Sequence, residues 1–176
     1  QCHRLRPARQ RHKRQHQHSK PNGDKRHAYP SASRPSGQDP LAALPTTVDL
    51  KRLTGQVVLV GFGRVGRRIG EALTAKGIPF TVAEENREIV EQLRAKDIPA
   101  VSGDAADPTV LIQAHIHRAR MLVIAIPDTL KVRRMIEIAR TVNPRIETVV
   151  RTHSEEEAEL LEKENAGKIF LGEGEL

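Results

Sequence analysis

Aromatic residues are nearly absent from this chain: among 176 residues there is no Trp, one Tyr and three Phe. A core must therefore be built from Val, Ile, Leu and Ala, the composition of parallel sheets buried on both faces. Cysteine occurs once, as Cys2, which excludes an intrachain disulfide and points to a reducing compartment. No apolar run approaches the ~18 residues that a membrane-spanning helix needs. The first residues are polar and basic with no apolar h-region, so no secretory leader is expected. What remains, 38% hydrophobic and 29% charged residues, suits one globular domain with room for an appendage.

The formal net charge of +7 invites a nucleic-acid reading, but its distribution argues against one. Residues 1–50 hold ten Lys/Arg and three Asp, so they carry the whole excess, whereas residues 51–176 hold nineteen of each sign. Phosphate-driven affinity needs a concentrated basic surface, which the balanced part does not supply. No nucleic-acid partner is expected. Residues 1–50 read as a disordered basic tail or linker, with six prolines and few large apolar residues apart from the Leu41–Leu44 patch. Residues 1–40 read as linker from a longer protein or sequence foreign to it, with a basic tail for nucleic acid or anionic lipid as the third reading. Five of the eight histidines lie in this tail, where a flexible tract does not make a dedicated metal site.

The body opens on Val57-Val58-Leu59-Val60 and then Gly61-Phe62-Gly63-Arg64-Val65-Gly66, with Glu84 eighteen residues after the last glycine. This is a β-branched strand, a G-x-G-x-x-G turn, a helix, and a second strand ending in an acid. Each part has a physical role in holding an adenine nucleotide. Gly61 permits the tight turn, Gly63 lets backbone N–H groups approach a phosphate, and Gly66 lets the helix pack on the strand. The helix start presents N–H donors and the positive end of its dipole. Glu84 would accept hydrogen bonds from ribose hydroxyls and disfavour a 2′-phosphate.

Strand and helix patterns then alternate with short connections. Strands are predicted at 57–60, 80–84, 100–102, 121–126, 148–150 and 168–171. Helices are predicted at about 65–76, from an Asn86 cap, from an Asp107-Pro108 start, at about 129–141, and from a Ser154/Glu157 capping box to Gly167. This is β-α-β-α-β twice over: an α/β, Rossmann-like, doubly wound parallel sheet of six strands in order 3-2-1-4-5-6. The helix after strand 4 carries Val132, Met135, Ile136 and Ala139 on one stripe.

Ligands of such sheets sit at the carboxyl ends of the strands, near the switch point between strands 1 and 4. The residues at those ends form the candidate site: Gly61, Phe62, Gly63, Arg64, Val65, Gly66, Glu84, Glu85, Gly103, Asp104, Ala105, Ile126, Pro127 and Arg151. Several have a plainer alternative. Asp104 faces an adenine edge or closes a turn, Asp128 is a helix cap or a ligand contact, and Glu85 suits a surface charge. Arg64 and Arg151 reach phosphates or sit in surface ion pairs. His115, His117, His153 and Ser154 read as loop and capping residues. With no placed acid, base or nucleophile and no substrate domain after the sixth strand, a non-enzymatic role without a metal is expected.

At VVLVGFGRVGRRIGEAL (57–73), VAEEN (82–86), VSGDAAD (101–107), MLVIAIPD (121–128) and the stretch from 149 to 176, the sequence resembles the N-terminal lobe of RCK domains. These are also called TrkA-N domains, and they regulate K+ channels, Trk uptake systems and Kef-type antiporters. LAALPTTVDLKRLTG (41–55) resembles the linker entering this domain in antiporters of the monovalent cation:proton antiporter-2 group. The resemblance covers about residues 52–176. It implies that Gly61–Gly66 cradle phosphate, Glu84 holds the ribose, Asp104-Ala105 lie at the adenine, and Ile126 and Arg151 line the rest of the cleft. It further implies an AMP, ATP or NAD(H) ligand, a homodimer, a membrane-embedded antiporter as partner, and a place on the cytoplasmic face of the bacterial inner membrane.

Overall fold

The computed structural model describes residues 39–45 and 53–172. Its backbone alternates β1 (Val57–Val60), α1 (Arg64–Ala75), β2 (Phe80–Glu84), α2 (Arg87–Arg94), β3 (Ala100–Ser102) and α3 (Pro108–Gln113). A single 3-10 turn (Ile116–Arg118) leads to β4 (Met121–Ile124), α4 (Thr129–Val142), β5 (Glu147–Thr152), α5 (Glu155–Lys163) and β6 (Lys168–Leu171). The six strands form one sheet in the order β3-β2-β1-β4-β5-β6. Every pairing is parallel. The expected architecture is therefore the observed one.

Alternation along β1 divides the core. Val58 and Val60 face a cluster with Leu111, Leu122, Ile124, Met135 and Val150, while Val57 and Leu59 face Phe80, Val82, Val90 and Leu93 on the other side. All four β1 residues are buried, as a central strand covered on both faces requires. Caps set the helix starts. Asn86 Oδ1 accepts from Glu88 N–H at 3.0 Å, Asp107 Oδ1 from Thr109 N–H at 2.8 Å, and Asp128 Oδ1 from Leu130 and Lys131 N–H at 3.0 Å each. Ser154 accepts from Glu157 N–H at 3.2 Å, so the predicted capping residue is in place.

Two strand ends differ from the sequence reading. β4 stops at Ile124, not Ile126: Ala125 still donates to Val60 O, but Pro127 has no N–H with which to continue the ladder. β5 is longer than expected, from Glu147 to Thr152, because Arg151 and Thr152 continue the pairing with Phe170 and Leu171 of β6. Of the stretch read as a basic tail or linker, residues 39–45 are described, and residues 1–38 and 46–50 lie outside the described residues.

Residues 39–45 form a strap over the β3 edge. Leu41 is buried against the cluster of Val57, Phe80 and Leu93. Its carbonyl accepts from Ser102 N–H at 2.7 Å. The Arg94 guanidinium clasps the segment, donating to the carbonyls of Pro40 (2.9 Å), Leu41 (3.1 Å) and Ala43 (2.5 Å), while its Nε donates to Ala100 O at 2.9 Å. Asp39 pairs with Arg87 at the start of α2, which holds its carboxyl below the usual carboxylate range. At the other edge of the sheet, Phe170 and Leu171 of β6 are exposed.

Arg94→Ala removes four donors to backbone carbonyls at once. We expect it to cost roughly 1–3 kcal/mol in a denaturant titration. Amide exchange at Leu41 and Ala42, whose N–H groups bond within the strap, should accelerate markedly. Unchanged protection there would show that something other than Arg94 holds the strap.

Candidate functional site

Strands β2 and β4 flank β1 and their chains part beyond its carboxyl end. Gly61 N–H still reaches Ala83 O on one side, and Ala125 N–H reaches Val60 O on the other, each at 2.9 Å. The switch point thus opens directly over Gly61. A cleft of about 260 Å³ occupies it, lined by Val60, Gly61, Ala83, Glu84, Glu85, Gly103, Asp104, Ala105, Ile126, Asp128 and Lys131. Seven of the fourteen expected site residues therefore meet in one place: Gly61, Glu84, Glu85, Gly103, Asp104, Ala105 and Ile126.

The three glycines of the turn have different reasons to be glycine. Gly61 has φ +83°, a conformation that L side chains rarely adopt. Gly66 has an ordinary backbone, but a Cβ there would be driven into the Gly61 carbonyl oxygen. These two are architectural. Gly63 is different: its φ is −71° and a Cβ would have nothing within 4 Å. The fold places no demand for glycine at position 63.

Glu84 is already a hub. One carboxylate oxygen accepts from Phe62 N–H at 2.5 Å and the other from Asn86 N–H at 2.9 Å. The acid at the end of β2 thereby ties the glycine turn to the start of α2. A carboxylate has about four acceptor sites, so two further hydrogen bonds can be taken, enough for a pair of ribose hydroxyls.

Across the cleft mouth lies Lys131, which the sequence reading did not single out. Its ammonium donates to Glu85 Oε1 at 2.6 Å and pairs with Asp104 Oδ2 at 2.9 Å. One side chain of α4 therefore joins the loops after β2 and β3. The hydrogen bond with Glu85, and then that with Asp104, raises the Lys131 pKa above its usual range. Lys131 and the Ala106 N–H together hold the Asp104 carboxyl below its ordinary value. The groups are partly exposed and screened by solvent, so the bridge orders the rim more than it stabilises the fold.

A second groove, of about 480 Å³, is lined by Phe62, Gly63, Arg64, Arg67, Arg68, Glu71 and Ile89. Phe62 and Arg64 of the expected site therefore border this groove and not the acidic cleft, as does Gly63. Val65, Gly66, Pro127 and Arg151 line neither. Arg151 is part of β5 and paired with Phe170, not beyond the strand end, and its guanidinium packs on the backbone of Gly172. Asp128 borders the cleft and caps α4, so its two readings coincide. His115 and His117 lie around the 3-10 turn that precedes the amino end of β4, far along the chain fold from the carboxyl-end cleft. No group of three or more His, Cys, Asp or Glu side chains suited to a metal occurs among the described residues.

Two outcomes check this geometry. Gly66→Ala should destabilise the fold by about 3 kcal/mol or more, whereas Gly63→Ala should cost less than about 1 kcal/mol, both by chemical denaturation. Asp104 should titrate by NMR below its ordinary value near 3.8. Because its folded-state pKa is lowered, its small contribution to stability is present above the unfolded-state pKa and is lost as pH falls through the folded one. A midpoint at or above the ordinary value would remove Lys131 as its partner in solution.

The TrkA-N domain model matches residues 57–171. The putative cation/proton antiporter YbaL of Escherichia coli K12 is 35% identical over 124 residues, covering 70% of this chain and 22% of YbaL. The crystal structure of its TrkA-N domain superposes with a TM-score of 0.65 at 34% identity, covering 68% of this chain and 88% of that one. The putative K+ efflux antiporter KefB of Alkalimonas amylolytica is 30% identical over 118 residues, covering 67% of this chain and 18% of KefB. The C-terminal domain of Shewanella denitrificans Kef, solved in an AMP-bound form, superposes with a TM-score of 0.60 at 26% identity, covering 66% of this chain and 70% of that one. This chain thus spans about a fifth of the length of the two antiporters it matches. Matched over most of its length and built on the same sheet, the chain belongs to the TrkA-N domain family.

Proposed function

We propose that this chain is the regulatory domain of a K+/H+ antiporter on the cytoplasmic face of a bacterial inner membrane. It binds an adenine nucleotide, AMP foremost, and its occupancy biases the gate of a membrane-embedded transporter. The observation that carries the reading is Gly63. A glycine that neither backbone strain nor packing requires, at the start of α1 and one residue from a turn tied to Glu84, is explained by a phosphate that must come close to the main chain. The AMP-bound form of the Shewanella Kef domain supports an adenine nucleotide as the ligand. Among the described residues no helix is long and apolar enough to cross a membrane. The domain carries out no chemistry in this reading.

Calorimetry with AMP tests the site. Gly63→Val should abolish binding while thermal unfolding stays close to that of the unchanged protein. Glu84→Gln should weaken binding by roughly 1–3 kcal/mol, the scale of hydrogen bonds to a charged group. Undiminished affinity in both variants would reject the location. Sustained NADH turnover on carbonyl acceptors, lost in Gly63→Val, would instead establish an oxidoreductase.

We further propose a homodimer, coupling two nucleotide sites to two transporter subunits. The α4 stripe of Val132, Met135, Ile136 and Ala139 is buried in this chain's own core and so does not supply the apolar contacts of a dimer. In this reading the dimer surface is the outer face, where Arg133, Glu137, Arg140 and Thr141 of α4 lie beside Glu164 along a groove of about 440 Å³. Glu137→Arg should leave a folded monomer in sedimentation velocity. A monomer for the unchanged domain at high micromolar concentration with AMP would sink the dimer.

A further inference from the structure

Four carboxylates border the cleft: Glu84, Glu85, Asp104 and Asp128. Three of them accept from backbone amides, Glu84 from Phe62 and Asn86, Asp128 from the first turn of α4, and Asp104, through one oxygen, from Ala106. Such an acidic rim suits the hydroxyls of a ribose and the amino edge of a base. It opposes the phosphate that must lie nearby, because a phosphate monoester brings about two negative charges at neutral pH. Lys131 is the cation lining this cleft, and it spans Glu85 and Asp104 together.

We propose, resting on the adenine-nucleotide reading, that Lys131 is a specificity-determining residue that makes this acidic cleft permissive to phosphate-bearing nucleosides. Its ammonium offsets the charges of Glu85 and Asp104 and keeps the loops after β2 and β3 at a fixed separation. Asp104 can then offer its remaining acceptor positions to the base while adding little repulsion to the phosphate. Without the cation, Glu85 and Asp104 would face each other across the mouth as like charges. The cleft would then favour an uncharged nucleoside over its monophosphate. Lys131 thus discriminates on ligand charge, a role distinct from that of Gly63, which borders the neighbouring groove.

The test compares adenosine with AMP on the full chain, by calorimetry, for the unchanged protein, Lys131→Gln and Lys131→Arg. We expect Lys131→Gln to lower AMP affinity at least tenfold more than adenosine affinity, and Lys131→Arg to restore most of the AMP preference. Raising the salt concentration from 0.05 to about 0.5 M should shrink the difference, since exposed charges are screened over a Debye length of a few ångströms at that strength. An AMP-to-adenosine affinity ratio unchanged in Lys131→Gln would overturn the assignment. So would an equal loss for both ligands, because that would make Lys131 a purely structural brace. If the unchanged protein binds neither ligand, the nucleotide reading itself fails and this inference goes with it. If it binds both and the ratio does not move, only the role of Lys131 fails.

Discussion

The contact between Gly66 and the Gly61 carbonyl is the constraint on which the rest of the site depends. It brings the first turn of α1 against the end of β1 closely enough that no side chain fits between them. With α1 so placed, the Phe62 N–H is aimed at the end of β2, where Glu84 accepts it. Glu84 in turn holds Asn86, whose side chain caps α2. One backbone approach thus fixes the turn, the acid and the neighbouring helix in a chain of dependent bonds. Substituting any member would be felt by the others, and single-site effects here should not be additive.

Much of this was legible in the sequence because the relevant signals are local. Val57–Val60 and Met121–Ile124 are continuous apolar runs, which is how strands covered on both faces read. The Asn86, Asp107, Asp128 and Ser154 caps were visible as polar residues opening helical patterns. The strand ends were less legible: Pro127 ended β4 earlier than hydrophobicity suggested, and Arg151 belongs to β5 because its partner strand β6 continues alongside it. Hydrophobicity does not report how far a neighbour extends.

The least legible features depend on residues distant in sequence. Lys131 meets Glu85 and Asp104, which lie on two other loops. No spacing rule connects them, and a lysine in the first turn of a helix otherwise reads as a solvated charge. The strap has the same character. Leu41 stands out as an apolar residue in a proline-rich stretch, but only Arg94, more than fifty residues away, shows why that stretch lies flat. The family assignment rests on the local signals, whereas the individual properties of this member rest on the distant ones.

The strap also makes the two borders of the sheet unlike one another. An open strand edge is a template for any other extended chain, and proteins commonly cover or charge such edges to prevent unwanted association. At β3 the backbone donor of Ser102 is taken by Leu41, and a guanidinium pinned to three carbonyls stands guard over the approach. At β6 the outward side chains include exposed Phe170 and Leu171. Among the described residues the sheet therefore has one border closed by a strap and another that carries exposed apolar side chains.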